Sequence, residues 1–110
     1  MKIGIIRCMQ TEDYCPGTAD FRAIKNKTGI FENIKDDIEI IGMINCGGCP
    51  GKKITMRAMK MIEKGADTIA MATCINKGSS NNFACPFSEK IMNHLTERLA
   101  KDIKILPYTH

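Results

Sequence analysis

The sequence predicts an α/β fold, a three-layer open parallel sheet of about four strands with helices on both faces. Two observations carry this expectation. The apolar runs are short and nearly continuous instead of alternating, as in strands buried on both faces. Each run is followed by a loop and a helix-like stretch before the next begins, the order that parallel crossovers require. Right-handed crossovers then lead to an expected strand order of 2-1-3-4 within one domain spanning residues 1–110.

Ile3-Gly4-Ile5-Ile6 is the first such run, ending at Arg7-Cys8. A long loop leads to a helix from about Thr18, whose hydroxyl can cap it, with Phe21 and Ile24 one turn apart and Gly29 as its stop. The stretch 30–34 is short and fits no single type. Residues 38–44 form the second strand and deliver the chain into Cys46-Gly47-Gly48-Cys49-Pro50-Gly51. A second helix is expected over about 52–64, with Ile54, Ala58, Met61 and Ile62 on its apolar face and Gly65 ending it. Residues 67–73 read as the third strand, running into Cys74, and 76–82 as a polar loop. Cys85-Pro86 opens a third helix carrying Ile91, Leu95 and Leu99 at four-residue intervals. Residues 103–106 are the last strand, before Pro107-Tyr108-Thr109-His110.

Composition narrows the function classes. A hydrophobic share of 44% with 25% charged residues over 110 positions suits a packed globular chain and not a disordered one. No apolar run approaches the roughly 18 residues of a membrane span. The N-terminal run is short and broken by Arg7, unlike a signal peptide, so a cytoplasmic location without membrane attachment is expected. The net charge of +4 is dispersed, there is no tryptophan, and aromatic content is 5%, so nucleic acid is not an expected partner. The eight methionines read as core filling and surface helix residues.

The informative residues are the six cysteines, Cys8, Cys15, Cys46, Cys49, Cys74 and Cys85. In a reducing compartment such richness indicates metal ligation or redox chemistry. Cys8 follows the first strand, Cys46 and Cys49 the second, and Cys74 the third, while Cys15 and Cys85 lie in strand-to-helix loops. His110 follows the fourth. Parallel strands point the same way, so all seven residues are expected on one rim, where open α/β sheets build their sites. None is expected inside a helix or strand. Three cysteines precede proline, which holds the thiol at an extended turn position. Cys49 and Cys85 are expected near helix N-termini, which favour thiolate. The two glycines of Cys46-Gly47-Gly48-Cys49 allow both sulfurs to face one point.

Arg7-Cys8, Cys15-Pro16-Gly17, the stretch Asn45-Cys46-Gly47-Gly48-Cys49-Pro50-Gly51-Lys52-Lys53, Gly65-Ala66-Asp67, Cys74, Cys85-Pro86 and Thr109-His110 together resemble the CGGC-domain family, over essentially the whole chain. The resemblance implies metal binding, with zinc suggested by the family's cysteines and histidines, and implies no particular reaction. The family pattern carries histidine after the last Cys-Pro; here that position is Phe87, so no ligand stands there.

Zinc takes four ligands, and Cys8, Cys46, Cys49 and Cys74 leave the strand ends most directly. An iron–sulfur cluster would use the same thiolates and suits cysteines followed by proline. Cys15, Cys85 and His110 would extend the site or close a second one. The alternative class is a thiol–disulfide oxidoreductase using Cys46-Gly47-Gly48-Cys49, with Cys46 as the more exposed attacking thiol; it leaves the other rim cysteines unexplained. A phosphate loop fails, because Cys46 and Lys53 occupy its glycine and Ser/Thr positions, although Lys52 and Lys53 remain placed to meet an anion. His94 reads as a surface or packing histidine. Glu12, Asp13 and Asp67 are acids that loops can bring to the rim. No serine–histidine–carboxylate set or carboxylate pair is present to assign catalysis.

Overall fold

A computed structural model describes residues 1–78 and 84–110; residues 79–82 of the expected polar loop lie outside them. Strands β1 (Lys2–Arg7), β2 (Glu39–Asn45), β3 (Thr68–Met71) and β4 (Lys104–Leu106) form one sheet in the order β2-β1-β3-β4, the order expected. Every pairing is parallel.

The pleat divides the core into two layers. Ile3 and Ile5 of β1, Ala70 of β3 and Leu106 of β4 face helix α1 (Thr18–Asn26), burying Ala23, Ile24 and Phe31. Ile6, Ile69 and Met71 face the other way, onto α2 (Ile54–Glu63) and α4 (Ser88–Arg98). Of the stripes expected on those helices, Ile54, Ala58 and Met61 on α2 and Ile91, Leu95 and Leu99 at α4 are buried, while Ile62 of α2 is half-buried. Gly4 sets how closely α2 approaches, since a Cβ there would stand 2.7 Å from Met61 Sδ.

Four details depart from expectation. Thr18 does not cap α1; Gly17 occupies the cap position at φ 86°, a left-handed backbone that glycine adopts without strain. The helix ends at Lys27, not Gly29. Phe21 is 39% exposed, because α1 buries the face carrying Asp20, Ala23 and Ile24. The third strand stops at Met71, and Thr73–Asn76 forms an additional helical turn, α3, which holds Cys74. Among the described residues no helix is long and apolar enough to cross a membrane.

The sheet's two ends differ in chemistry. At the amino end the Asp67 carboxylate accepts the Lys2 N–H at 3.1 Å and the Thr68 hydroxyl at 2.8 Å. Those bonds, the Thr68 one foremost, hold Asp67 below the usual carboxylate range. Asp67 therefore belongs to the end away from the cysteines.

Candidate metal centre

The sheet ladder itself sets the first sulfurs in place. Beyond β2 the Cys46 N–H donates to the Arg7 carbonyl at 2.8 Å, which keeps Cys46 level with Cys8 as the two chains leave the sheet. Asn45 then fixes the turn. Its side-chain oxygen accepts the Gly47 N–H at 2.8 Å and Arg57 Nη1 at 2.9 Å, while its amide nitrogen donates to Glu12 Oε1 at 2.7 Å. One side chain thus ties the loop after β1, the loop after β2 and helix α2. Gly47 and Gly48 stand at φ 86° and 98°, so the turn between the two cysteines is left-handed twice running. Arg57 lies against this turn: a Cβ at Gly47 would meet Arg57 Nε at 3.1 Å and Lys53 Cβ at 2.9 Å.

Cys8, Cys46, Cys49 and Cys85 line one cleft, floored by Gly48 and Gly51 and walled by Phe87 and Ile91, with a volume of about 20 Å³. Cys85 is brought there by its own N–H, which donates to the Ile75 carbonyl at 2.8 Å and draws the chain leading to α4 back over α3. Phe87 forms part of the wall. Within the Cys46-Cys49 pair the exposure is the reverse of that expected: Cys46 is 8% exposed and packs with Ile6 and Ile54, while Cys49 is exposed.

Burial pushes the Cys8 thiol up from its ordinary value, with Cys46 and Cys85 adding to the shift and the Gln10 backbone N–H opposing it. Burial likewise raises Cys85, joined by Cys49, Cys46 and Cys74. Cys74 is raised by burial first and then by Cys8 and Asp20, against the Thr11 hydroxyl, whose oxygen lies 3.8 Å from Cys74 Sγ. The thiolate expected of Cys85 near a helix start is outweighed by desolvation. These sulfurs repel one another's negative charge, and only a cation among them would reverse that balance.

The remaining candidates divide. Cys74 stands beside the cleft, coupled to Cys8 and Cys85 but not lining it. Cys15 is half-buried, its N–H donating to the Thr11 carbonyl at 2.8 Å, and does not line the cleft. His110 does reach the rim, but its Nε2 lies 3.7 Å from Asp20 Oδ1 instead of joining the cleft. Asp20, buried at 4% exposure, also accepts the Thr109 hydroxyl. Thr73 Oγ1 receives the Thr109 and His110 backbone N–H groups at 3.3 and 2.9 Å and donates to the His110 carbonyl at 2.9 Å. Sequence reading missed this network. Its only signal was an acid in the first turn of α1 together with hydroxyls just beyond β3 and β4.

All six cysteines are free. Among the described residues no three His, Cys, Asp or Glu side chains stand close enough to hold an ion as they are. The donor set nevertheless fits a soft cation, since thiols from three strand-end loops surround a space of about one water-sized body. Among the described residues, Arg7, immediately before Cys8 in the chain, has a buried Nε with no hydrogen-bond partner.

Comparison with known proteins gives a consistent picture. The model of the CGGC domain matches residues 2–110. An uncharacterized protein of Methanocaldococcus jannaschii is 41% identical over 81 residues, a match that covers 67% of this chain and 62% of that protein. The match thus spans less than two thirds of that relative's length. No solved structure matches the chain at a significant level.

Proposed function

Because the chain belongs to the CGGC domain family, we propose that it binds a single metal ion, zinc, through Cys8, Cys46, Cys49 and Cys85. The observation that carries this reading is the sharing of one ion-sized cleft by four thiols from the loops after β1, β2 and β3. A zinc ion with four thiolates has no open position and would act as a cross-link between those loops. Closing the site means displacing thiol protons, because Cys8 and Cys85 favour the neutral form in its absence. It also means drawing the loops inward. Asn45 and Arg57 hold Gly47 so that this closure moves a preformed turn. An iron–sulfur cluster would use the same thiolates, and metal and sulfide analysis separates the two. Six free cysteines suit the reducing environment of the cytoplasm.

Anaerobic purification followed by zinc, iron and acid-labile sulfide analysis tests this. The reading requires colourless protein with one zinc per chain, lost in Cys46→Ser and Cys85→Ser and retained in Cys15→Ser. Iron with stoichiometric sulfide would replace zinc by a cluster, and metal-free protein would remove the reading altogether.

One observation favours a second reading. Cys49 is exposed at the cleft mouth with Cys46 buried behind it, the arrangement of an attacking and a resolving thiol. On this reading the protein exchanges disulfides, and a metal-free preparation reduces a model disulfide in a manner abolished by Cys49→Ser.

A further inference from the structure

A second concavity adjoins the cysteine cleft. It lies between the start of α2 and the outer face of α4, has a volume of about 310 Å³, and is lined by Lys52, Thr55, Lys90, His94 and Arg98. Lys90, His94 and Arg98 recur every fourth residue and so form one stripe along α4. Among the described residues the ion pairs are Lys60–Glu63 and His110–Asp20, so Lys52, Lys90 and Arg98 converge on this groove with no carboxylate within salt-bridge distance. Glu89 and Glu97 line the shallower neighbouring concavity, on the other side of the Lys90–His94 row. Cations gathered in a concave site without counter-charge repel one another, and an anionic ligand relieves that repulsion.

The spacing selects the kind of anion. Lys90 and Arg98 are eight residues apart, roughly 12 Å along the helix axis. One phosphate or carboxylate would have to draw three long cationic side chains onto a single group, where they repel one another. A chain of linked phosphates spreads the contacts along the row, with the guanidinium of Arg98 forming paired hydrogen bonds and the Thr55 hydroxyl donating another. Pro50, Gly51 and Ile91 line both this groove and the cysteine cleft, forming the wall between them. We propose that the groove binds the oligophosphate group of a small molecule and holds the rest of that molecule next to the cysteine cleft. This binding does not depend on the identity of any metal, because no cysteine lines the groove.

Calorimetric titration of the full chain with inorganic tripolyphosphate is the test, at about 50 mM and about 300 mM salt, since contacts to phosphate weaken as counterions compete. One saturable site is expected, weaker at the higher salt. Lys90→Ala and Arg98→Ala, both changes of exposed side chains, should each weaken it by about tenfold, a loss typical of charge-assisted bonds. Lys25→Ala, on the opposite face of the sheet, should leave it unchanged. Protein freed of metal with a chelator should bind as untreated protein does, which separates this site from the metal reading. Absence of saturable binding overturns the proposal. So does equal weakening by Lys25→Ala, which would indicate diffuse charge, and so does loss on metal removal with retention in Arg98→Ala, which would place the phosphate on a metal.

Discussion

Asp20, Thr73, Thr109 and His110 hydrogen-bond to one another on the same rim of the sheet where Cys8, Cys46, Cys49 and Cys85 share a cleft. The first group is closed: a buried carboxylate with a hydroxyl on it, and a threonine oxygen serving two backbone donors. Among the described residues no side chain hydrogen-bonds to any of the four cleft sulfurs, and Cys74 alone among the cysteines receives a hydroxyl. Both groups owe their position to the same rule, that parallel strands deliver their carboxyl ends to one edge. The chemistry placed there separates them. Satisfied oxygen and nitrogen atoms make the Asp20 cluster a fastening between α1 and the chain beyond β4. Among the described residues the cysteine cluster has no such internal partners, and burial keeps the Cys8 and Cys85 thiols toward their neutral form, so on the proposed reading its sulfurs are left for a cation.

The sharpest break between the two comes from ligand removal. Cys46→Ser or Cys85→Ser should lower zinc affinity by at least about 100-fold, beyond the usual cost of disturbing a ligand's supporting partner. Asp20→Ala should leave that affinity within a small factor. Competition with a chromophoric chelator measures both, and comparable losses in the two would erase the distinction. Stability should respond the other way round in the metal-free chain. Asp20→Ala strands the Thr109 hydroxyl in a buried site and should cost about 2–4 kcal/mol in denaturant unfolding. Cys15→Ser should change stability little.

Gly47→Ala probes the turn without touching a sulfur. A left-handed non-glycine residue costs roughly 1–2 kcal/mol, and the added carbon also crowds Lys53 and Arg57. Zinc affinity should fall by about tenfold or more, while the Asp20 cluster keeps its hydrogen-exchange protection. The smallest effect is with pH. Thiols raised in the folded state bind protons more tightly than in the unfolded chain, so their stabilisation is complete below the ordinary value of 9.0. The metal-free protein should therefore lose stability as pH climbs past that value and through the folded thiol range. Metal affinity should rise over the approach to it, as protons stop competing. Unfolding curves that are flat across this window would contradict the thiol assignment.

Much of this architecture was legible from sequence because it follows from periodicity. Near-continuous isoleucine runs mark β1 and β2, and the stripe Ile91, Leu95, Leu99 marks α4, whatever tertiary contacts follow. The rim position of the cysteines was legible for the same reason. What escaped was set by packing between loops. Cys74 was expected at a free strand end, but the Ile75 side chain is wholly buried and pulls the segment into a helical turn. Cys85, far along the chain, takes the cleft place because its amide pairs with Ile75. The inverted exposure of Cys46 and Cys49 depends on Cys46 entering the core beside Ile6 and Ile54, which no local spacing encodes. Asp20 stands in the first turn of α1, an ordinary place for an acid. Only the return of Thr109 makes it a buried anchor.

X-ray absorption at the zinc edge of anaerobically prepared protein addresses the central claim most directly. The account predicts one zinc surrounded by four sulfurs at about 2.3 Å, reduced to three in Cys85→Ser and unaltered in Cys74→Ser. A shell dominated by nitrogen or oxygen, or one that loses sulfur in Cys74→Ser and keeps it in Cys85→Ser, would contradict it.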